Sequence, residues 1–309
     1  MRISLSETQR TSMAAVVATM CFGTSVVATR FVVAQTQPVS LAFLRYVIGT
    51  ACLAPVLWTV KRKGVPRNDL FAIAALGVMF FGIFPWSFSA ALTHSPSSRV
   101  AIELATMPLL TLLISRLRGY DRITPPKLMG QLLAFAGLVI ALRPAGATAI
   151  GSGDVWMGDV LTGITAVCGA AYNVFSRPYL QRYPPLHVTA LSMLAGVLFL
   201  APLAAMKGAF AKVPAFTPGG WWALLFLGTL GGAFGFALWS WALQRSTPSR
   251  VAVFIAINPL TAITLGVLLL DEPVTLQFLI GFVAVAAGIV LANWRPANPG
   301  DIPATHPQR

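Results

Sequence analysis

Glu103 is the only carboxylate read inside an apolar run, the other acids falling in tails and loops, and Arg99, Met107 and Thr111 stand at four-residue spacing around it. On a helix these four share one face. A charge at membrane depth is costly and turns toward a bundle interior, water or an opposite charge. Two chemistries fit Glu103. One is an ion pair with Arg99, or with Arg45 at similar depth in another run; the other is a site for a solute amine or a proton. Counted from the start of its run, at 1.5 Å per residue, Glu103 lies about 9 Å below the helix end. Pro108 follows in the same run and deletes a backbone hydrogen bond, which gives either a fixed kink or a hinge.

Other runs carry residues able to touch a solute. Phe84, Trp86 and Phe88 share one run. Phe234, Phe236, Trp239 and Trp241 share another, among Gly228, Gly231, Gly232 and Gly235. These rings serve as solute contacts or as packing and lipid-facing groups, and the glycines allow close helix approach or leave space for a ligand. Tyr172, Asn173 and Ser176 form a polar stripe, as do Thr24 and Ser25. Buried polar groups need partners, so the stripes are expected to face each other or a wet cavity. Arg30 and Arg177 lie near run ends, where snorkelling to the interface explains them.

Several chemistries are excluded by what is missing. His94 and His187 stand alone, and Cys21, Cys52 and Cys168 have no metal or disulfide spacing, so neither a metal nor a cofactor is expected. There is no H-E-x-x-H, no acidic pair within the runs and no Walker-type loop, which argues against an enzyme or an ATP-driven pump.

The elements that position these residues follow from composition. The chain has 309 residues, 56% hydrophobic and only 10% charged, against about 25% charged in soluble domains. Mean hydropathy is +0.75. Runs of roughly 20 apolar residues recur, each long enough to cross a bilayer core of about 30 Å. Spans are predicted at 13–33, 39–59, 70–92, 97–115 and 127–143, then at 158–178, 186–206, 219–243, 247–270 and 275–293. The first run is read as a span rather than a cleaved leader, because it continues past any cleavage point and has an internal mate. The net charge of +13 signals no nucleic acid, because the basic residues sit in short loops between runs. Trp58, Trp156, Trp221, Trp222 and Trp294, near span ends, are expected interfacial anchors.

The chain is written twice. At an offset of 151 residues, Gly77 falls on Gly228, Ser98-Arg99-Val100-Ala101 on Ser249-Arg250-Val251-Ala252, and Pro108-Leu109 on Pro259-Leu260. Gly130 and Gly137 fall on Gly281 and Gly288, and this seven-residue spacing points to tight packing, within the chain or between protomers. Upstream the offset is 147: Cys21 falls on Cys168, Arg30 on Arg177 and Pro38 on Pro185. Glu103 therefore maps onto Phe254, Met107 onto Asn258 and Thr111 onto Ala262. Since the frame does not require a carboxylate at 103, substrate contacts are expected where the halves differ.

Positive charges fix the expected orientation. Alternate segments hold Arg2 and Arg10; Lys61, Arg62, Lys63 and Arg67; Arg116, Arg118, Arg122 and Lys127; Arg177 and Arg182; Arg245 and Arg250; Arg295 and Arg309. The opposite side holds Arg99, Arg143, Lys207 and Lys212. Both termini are then cytoplasmic. Five spans per half is odd, so the second half enters the membrane upside down, an arrangement shared by many secondary transporters.

The residues CFGTSVVATRF (21–31), LAFLRYVIG (41–49) and the closing INPLTAITLGVLLLDEPVTLQFLIGFVAVAAGIVLAN (257–293) resemble the EamA domains of the drug/metabolite transporter superfamily. The most specific part is Asn258-Pro259, then the acidic turn Asp271-Glu272-Pro273, then a Gly-spaced helix. The first half departs from it, with Gly119-Tyr120-Asp121-Arg122 and no proline at that turn. The resemblance implies ten helices in a basket around a central cavity lined by spans 1, 3, 4, 6, 8 and 9. It also implies a bacterial inner-membrane exporter of amino acids, aromatic ones among them.

The expected protein is thus an all-α polytopic membrane protein of two inverted-topology five-helix repeats. A cytoplasmic tail (1–12) precedes the first repeat (13–143); a loop (144–157) leads to the second (158–295) and a disordered tail (296–309). It is expected to act as a secondary transporter by alternating access, with a small-molecule substrate and the lipid bilayer as partners, no nucleic acid, and a monomeric or homodimeric state. Cavity candidates are Phe84, Trp86, Phe88, Glu103, Met107, Tyr172, Asn173, Phe236, Trp239, Phe254 and Asn258; Pro108 and Pro259 are the hinges; Arg30, Arg45, Arg99 and Arg177 set ion pairs or topology. The alternatives are another solute class (drug, sugar or nucleotide sugar) or a passive pore.

Overall fold

Prolines and apolar runs decide where the helices begin and break. The computed structural model describes residues 6–33, 35–95, 97–142, 155–206, 216–270 and 276–294. Every regular element among them is helical. The first half comprises α1 (Glu7–Val33), α2 (Pro38–Cys52), α3 (Ala54–Lys63), α4 (Arg67–Gly77), a π-helical turn (Val78–Ile83), α5 (Phe84–His94), α6 (Ser97–Leu104), α7 (Met107–Leu117) and α8 (Pro125–Leu142). The second comprises α9 (Val155–Phe175), α10 (Arg177–Arg182), α11 (Pro185–Met206), α12 (Pro218–Gly228), a second π turn (Thr229–Phe234), α13 (Gly235–Arg245), α14 (Pro248–Ala252), a 3-10 turn (Val253–Ala256), α15 (Ile257–Leu270) and α16 (Leu276–Asn293). Proline opens α2, α8, α11, α12 and α14, at the position where its missing N–H costs nothing.

Interior prolines break the rods. Pro108 cannot donate to the Leu104 carbonyl, and the helix ends at Leu104 and restarts at Met107. Pro259 has the same relation to Ile255, where the chain narrows into the 3-10 turn. Ahead of Pro55 the second expected span splits at Leu53. The ten predicted spans are therefore not all continuous helices, and the breaks at Pro108 and Pro259 fall where a kink or hinge was expected. Among the described residues six helices are long and apolar enough to cross a membrane: Glu7–Thr29, Arg67–Ala91, Pro125–Leu142, Pro185–Met206, Pro218–Arg245 and Leu276–Asn293. Pro38–Cys52 and Met107–Leu117 are shorter apolar pieces.

The sequence repeat returns as a repeat of elements. Shifted by 151 residues, α4, its π turn, α5 and α8 start and stop on α12, its π turn, α13 and α16. Packing repeats too. Gly77 lies against the backbone of Ser192, and its mate Gly228 against the backbone of Arg45, the residue 147 before Ser192. The opening helix of each half leaves its own half: α1 packs on α12, α13 and α15, whereas α9 packs on α5, α6 and α7.

The mates α8 and α16 pack on each other along their length and run antiparallel, Gly130 beside Gly288 and Gly137 beside Gly281. The glycine stripe thus faces its own mate within the chain, and not a second protomer. A Cβ on Gly137 would sit 2.8 Å from the Gly281 carbonyl oxygen, and one on Gly288 2.5 Å from the Ala134 nitrogen.

Long-range contacts identify the two ends of the bundle. At the near end Asp69 meets Tyr183 and Asp121 meets Ser249; at the far end Gln35 meets Thr217 and Arg99 meets Asp159. Trp58 and Trp294 at the near end, and Trp156 and Trp222 at the far end, are exposed, as interfacial anchors would be. The inter-repeat residues 144–154, the turn Asp271-Glu272-Pro273, the tail from 295 and the side chain of Arg30 lie outside the described residues.

Gly137→Leu forces backbone apart and should cost at least about 1–3 kcal/mol. We expect a lowered melting temperature in detergent, while Ala136→Leu, on the exposed face one residue away, leaves it unchanged.

Candidate functional site

Helices from both halves bring a set of rings together. Phe80 stacks on Tyr172 with centroids 4.2 Å apart and planes at 11°. Phe81 meets Phe236 edge-on at 4.8 Å and Tyr46 at 5.3 Å. Phe22 of α1 lies 4.7 Å from Phe236 and 6.1 Å from Trp239. Phe84 packs on Phe80 and also beside Met107. The Trp239 indole Nε1 donates to Asn173 Oδ1 at 3.0 Å. Two polar atoms are buried here without a hydrogen-bond partner, the Asn173 amide nitrogen and the Tyr172 hydroxyl, although Ser192 and Ser240 are the hydroxyls nearest the latter. Across α1 from this cluster, Asn258 Oδ1 is a third. Unmet polar groups away from water cost free energy, so this is where a polar solute group would be held.

Of the sequence candidates, Phe84, Met107, Tyr172, Asn173, Phe236 and Trp239 converge here, and Phe254 joins the adjoining core with Trp239. Phe22, Tyr46, Phe80 and Phe81 were not singled out from sequence. Two candidates lie elsewhere. Trp86 is 42% exposed on the outer surface, and Phe88 belongs to a separate cluster with Ala91, Val100 and Leu161. The polar stripes do not face each other. Asn173 turns to Trp239, while Ser25 donates to its own helix at the Cys21 carbonyl and abuts Gly231. The glycines of the second π segment serve close approach: Gly231 meets Ser25 and Gly235 meets Phe22.

Glu103 sits apart from the rings, at the far end. Arg99 Nε reaches Glu103 Oε1 at 3.1 Å. The same guanidinium forks onto Asp159 of α9, Nε to Oδ1 at 2.8 Å and Nη2 to Oδ2 at 2.6 Å. All three side chains are about a third exposed. This corrects two expectations. Glu103 is not alone among carboxylates within the helices, since Asp159 lies in the first turns of α9. Nor does Arg45 pair with Glu103: it donates from Nη2 to the Gly231 carbonyl in the second π turn at 3.3 Å, and its guanidinium lies over Tyr46. The signal for Asp159 was present, an acid at the head of a span that packs on the Arg99 helix, but the contact bridges 60 residues. Two carboxylates thus share the one guanidinium of this triad.

The near end is built differently. Asp121 is buried and accepts from Lys127, from Ser249 Oγ at 2.7 Å and from Ser115 Oγ at 3.0 Å. Asp69 accepts from the Tyr183 hydroxyl at 2.6 Å and from Arg182 at 3.4 Å. Arg177 lies over Tyr120 with its guanidinium carbon 5.1 Å from the ring centre, and so contacts the loop before α8. Beside these knots is a cavity of about 180 Å³ between the start of α1, the α13–α14 turn and the end of α16.

Both halves of the chain match the profile of the EamA-like transporter family, over residues 9–143 and 156–294. An uncharacterized transporter of Archaeoglobus fulgidus is 25% identical, over 87% of this chain and 94% of its own length. A probable terminal-alkyne amino-acid exporter of Streptantibioticus cattleyicolor is 27% identical, over 82% and 84%. The uncharacterized transporter YoaV of Bacillus subtilis is 24% identical, over 88% and 93%. One solved crystal structure, 22% identical, superposes with a TM-score of 0.77 over 91% of this chain and 96% of that one, and shares the fold.

The electrostatics of the Asp121 knot can be read directly. Burial pushes its carboxyl up, but hydrogen bonds from Lys127, Ser249 and Ser115 outweigh burial and hold it below the ordinary 3.8. A carboxylate depressed in the folded state contributes stability above the ordinary value and loses it as pH falls through the folded-state value. The Asp69 carboxylate, as a hydrogen-bond acceptor, raises the Tyr183 hydroxyl above its usual 10.0. Asp121→Asn leaves Lys127 buried without its counter-charge and should cost about 3–5 kcal/mol at neutral pH. The gap in melting temperature between wild type and variant should close as pH drops below the ordinary carboxylate value; a gap independent of pH would contradict the assignment.

Proposed function

The chain belongs to the EamA-like transporter family, and we propose that it exports a small amphipathic solute bearing an amine, an amino acid, through ten membrane-crossing segments. It is a multi-pass membrane transporter. In the proposed arrangement each half supplies five segments, the halves are inverted, and the bent or broken rods complete the crossing beside the six long helices. The observation that carries this reading is the antiparallel seam of α8 on α16, two elements 151 residues apart in register that run in opposite directions. Helices that repeat in sequence and oppose in space form an inverted repeat.

Alternating access follows from that symmetry. Two like halves of opposite sense exchange conformations, and a central site opens to each face in turn. The breaks before Pro108 and Pro259 are the proposed bending points, because backbone hydrogen bonds are already absent there. The ring cluster around Tyr172 and Phe236 offers aromatic faces to an apolar side chain, with Asn173 and Tyr172 as polar contacts. The Arg99–Asp159 fork is the proposed far-end latch, since it ties α6 of the first half to α9 of the second. A solute amine competes with the guanidinium for the surplus carboxylate, and its binding loosens the latch. The relative named as a probable amino-acid exporter supports the solute class. The near end bears most of the arginines and lysines, which supports a bacterial inner-membrane protein with both termini in the cytoplasm.

Glu103→Gln should leave the fold intact, because Asp159 keeps the bidentate bond to Arg99, yet lower the transport rate on the order of tenfold, the scale of one lost hydrogen bond to a charged group. The check is uptake into proteoliposomes of amino acids against sugars and cationic drugs, with and without a pH gradient. Unchanged amino-acid flux in the variant would remove Glu103 from the transport path, and a flux that never saturates would point to a pore.

A further inference from the structure

The near-end turn between α7 and α8 gathers three arginines that no described acid engages. The chain leaves α7 through Gly119, in the left-handed region at φ 72°, and folds back on the helix end. The Tyr120 and Asp121 N–H groups donate to the Ser115 carbonyl at 2.9 and 3.3 Å. Arg116 and Arg122 flank this bend and Arg118 lies within it, all three exposed. Among the described residues none of the three side chains enters an ion pair or a hydrogen bond. The acid of the turn, Asp121, is buried and spent on Lys127, Ser249 and Ser115. Arg118 lies over Phe175, its guanidinium carbon 5.3 Å from the ring centre, a contact that leaves the in-plane N–H groups unengaged. The surface beside the bend is apolar. Leu117 is 77% exposed and Ile123 45%; Leu113, one turn from Leu117 on the same face of α7, and Met129 on α8 are exposed too. Trp294 marks the depth: it follows Ala292, whose backbone packs on Gly130 in the second turn of α8. The arginines thus sit at headgroup level. The duplicated frame does not ask for them, since they fall on Val267, Leu269 and Pro273 at the offset of 151.

We infer that the α7–α8 turn is a binding site for an anionic membrane lipid, with Arg116, Arg118 and Arg122 on the phosphate and Leu113, Leu117 and Met129 against the acyl chains. Guanidinium groups hold phosphate oxygens through paired charge-assisted hydrogen bonds. Basic residues clustered beside a membrane helix attract anionic headgroups, and long arginine stems let the charge reach headgroup depth over an apolar surface. Charge complementarity selects an anion, and the exposed apolar face next to the arginines selects one that carries hydrocarbon chains. The site bears on the junction of the halves. Asp121 belongs to the same bend, and its bonds to Ser249 tie the approach to α8 onto α14. A lipid that fixes the bend fixes that bridge with it. The assignment uses the membrane placement of the chain and is independent of which solute is carried.

The test is binding to purified full-length protein in a neutral detergent, titrated separately with dioleoyl-phosphatidylglycerol, dioleoyl-phosphatidylcholine and glycerol phosphate and read by native mass spectrometry. Arg116→Gln combined with Arg122→Gln removes two cations and no contact to another side chain. The pair should weaken phosphatidylglycerol roughly thirtyfold, the product of about fivefold for each basic residue at a membrane surface. Lys61→Gln combined with Arg62→Gln removes the same charge from the end of α3 and should leave the affinity unchanged. Phosphatidylglycerol should also raise the melting temperature of wild type and not that of the Arg116/Arg122 variant. Gel filtration shows whether each variant is folded; Arg122→Gln alone, expected to weaken binding about fivefold, replaces the pair if it is not. Wild-type affinity in the arginine variants would overturn the site. Equal losses in the two double variants would reduce it to general surface charge and overturn it as well, as would equal affinity of wild type for phosphatidylcholine. Glycerol phosphate bound as tightly as phosphatidylglycerol would make the occupant a soluble phosphate and sink the lipid assignment.

Discussion

Hydrogen bonds and ion pairs that acids make across the midpoint of the chain are the interactions on which the arrangement of both halves rests. In a protein with 10% charged residues, most of them basic, each acid removed from water must find a donor. Asp159 of the second half takes Arg99 of the first; Asp121 of the first takes Ser249 of the second; Asp69 of the first takes Tyr183 and Arg182 of the second. None of these contacts is local. They stitch the halves at both ends, while the glycine seam of α8 on α16 closes them in between.

Within that stitched frame, duplication explains what is alike and divergence explains what is specialised. The mates Met107 and Asn258 each lie against a glycine on the opening helix of the other half, Gly169 on α9 by a thioether and Gly23 on α1 by backbone, with the two glycines one residue out of register at the offset of 147. Both π turns fall at the same place, yet one carries Phe80 and Phe81 and the other Gly231 and Gly232. The ring-bearing turn fills the interior from one side, and the glycine-bearing turn lets α1 approach from the other. A symmetric scaffold can thereby enclose an asymmetric site, one wall aromatic and the other thin.

Much of this is legible in the amino-acid sequence alone. The offsets of 151 and 147 set the element bounds, because glycines and prolines that punctuate one half recur in the other. Pro108 and Pro259 announced their breaks; Pro202 did not behave so, lying inside α11 close to its end, where a single lost hydrogen bond is tolerated. Trp86 was misplaced although its face was readable, since two residues from Phe84 is the opposite side of a helix. Glycines spaced seven apart declared a packing surface without declaring the partner. The π turns have no sequence signature, and with them the roles of Phe80 and Phe81 stayed hidden. The Asp159 and Asp121 contacts were out of reach for another reason: they join residues distant in sequence, and only the folded arrangement decides which acid meets which donor.

The account stands or falls on the opposite senses of the two halves in the membrane. Asn68 and Gly219 are exposed mates at an offset of 151, one opening α4 and the other α12. With Cys21, Cys52 and Cys168 replaced, single cysteines at these two positions in right-side-out membrane vesicles can be exposed to a membrane-impermeant maleimide. The account predicts labelling at position 219 from outside and labelling at position 68 only after the vesicles are opened. Labelling of both positions from the same face would contradict it.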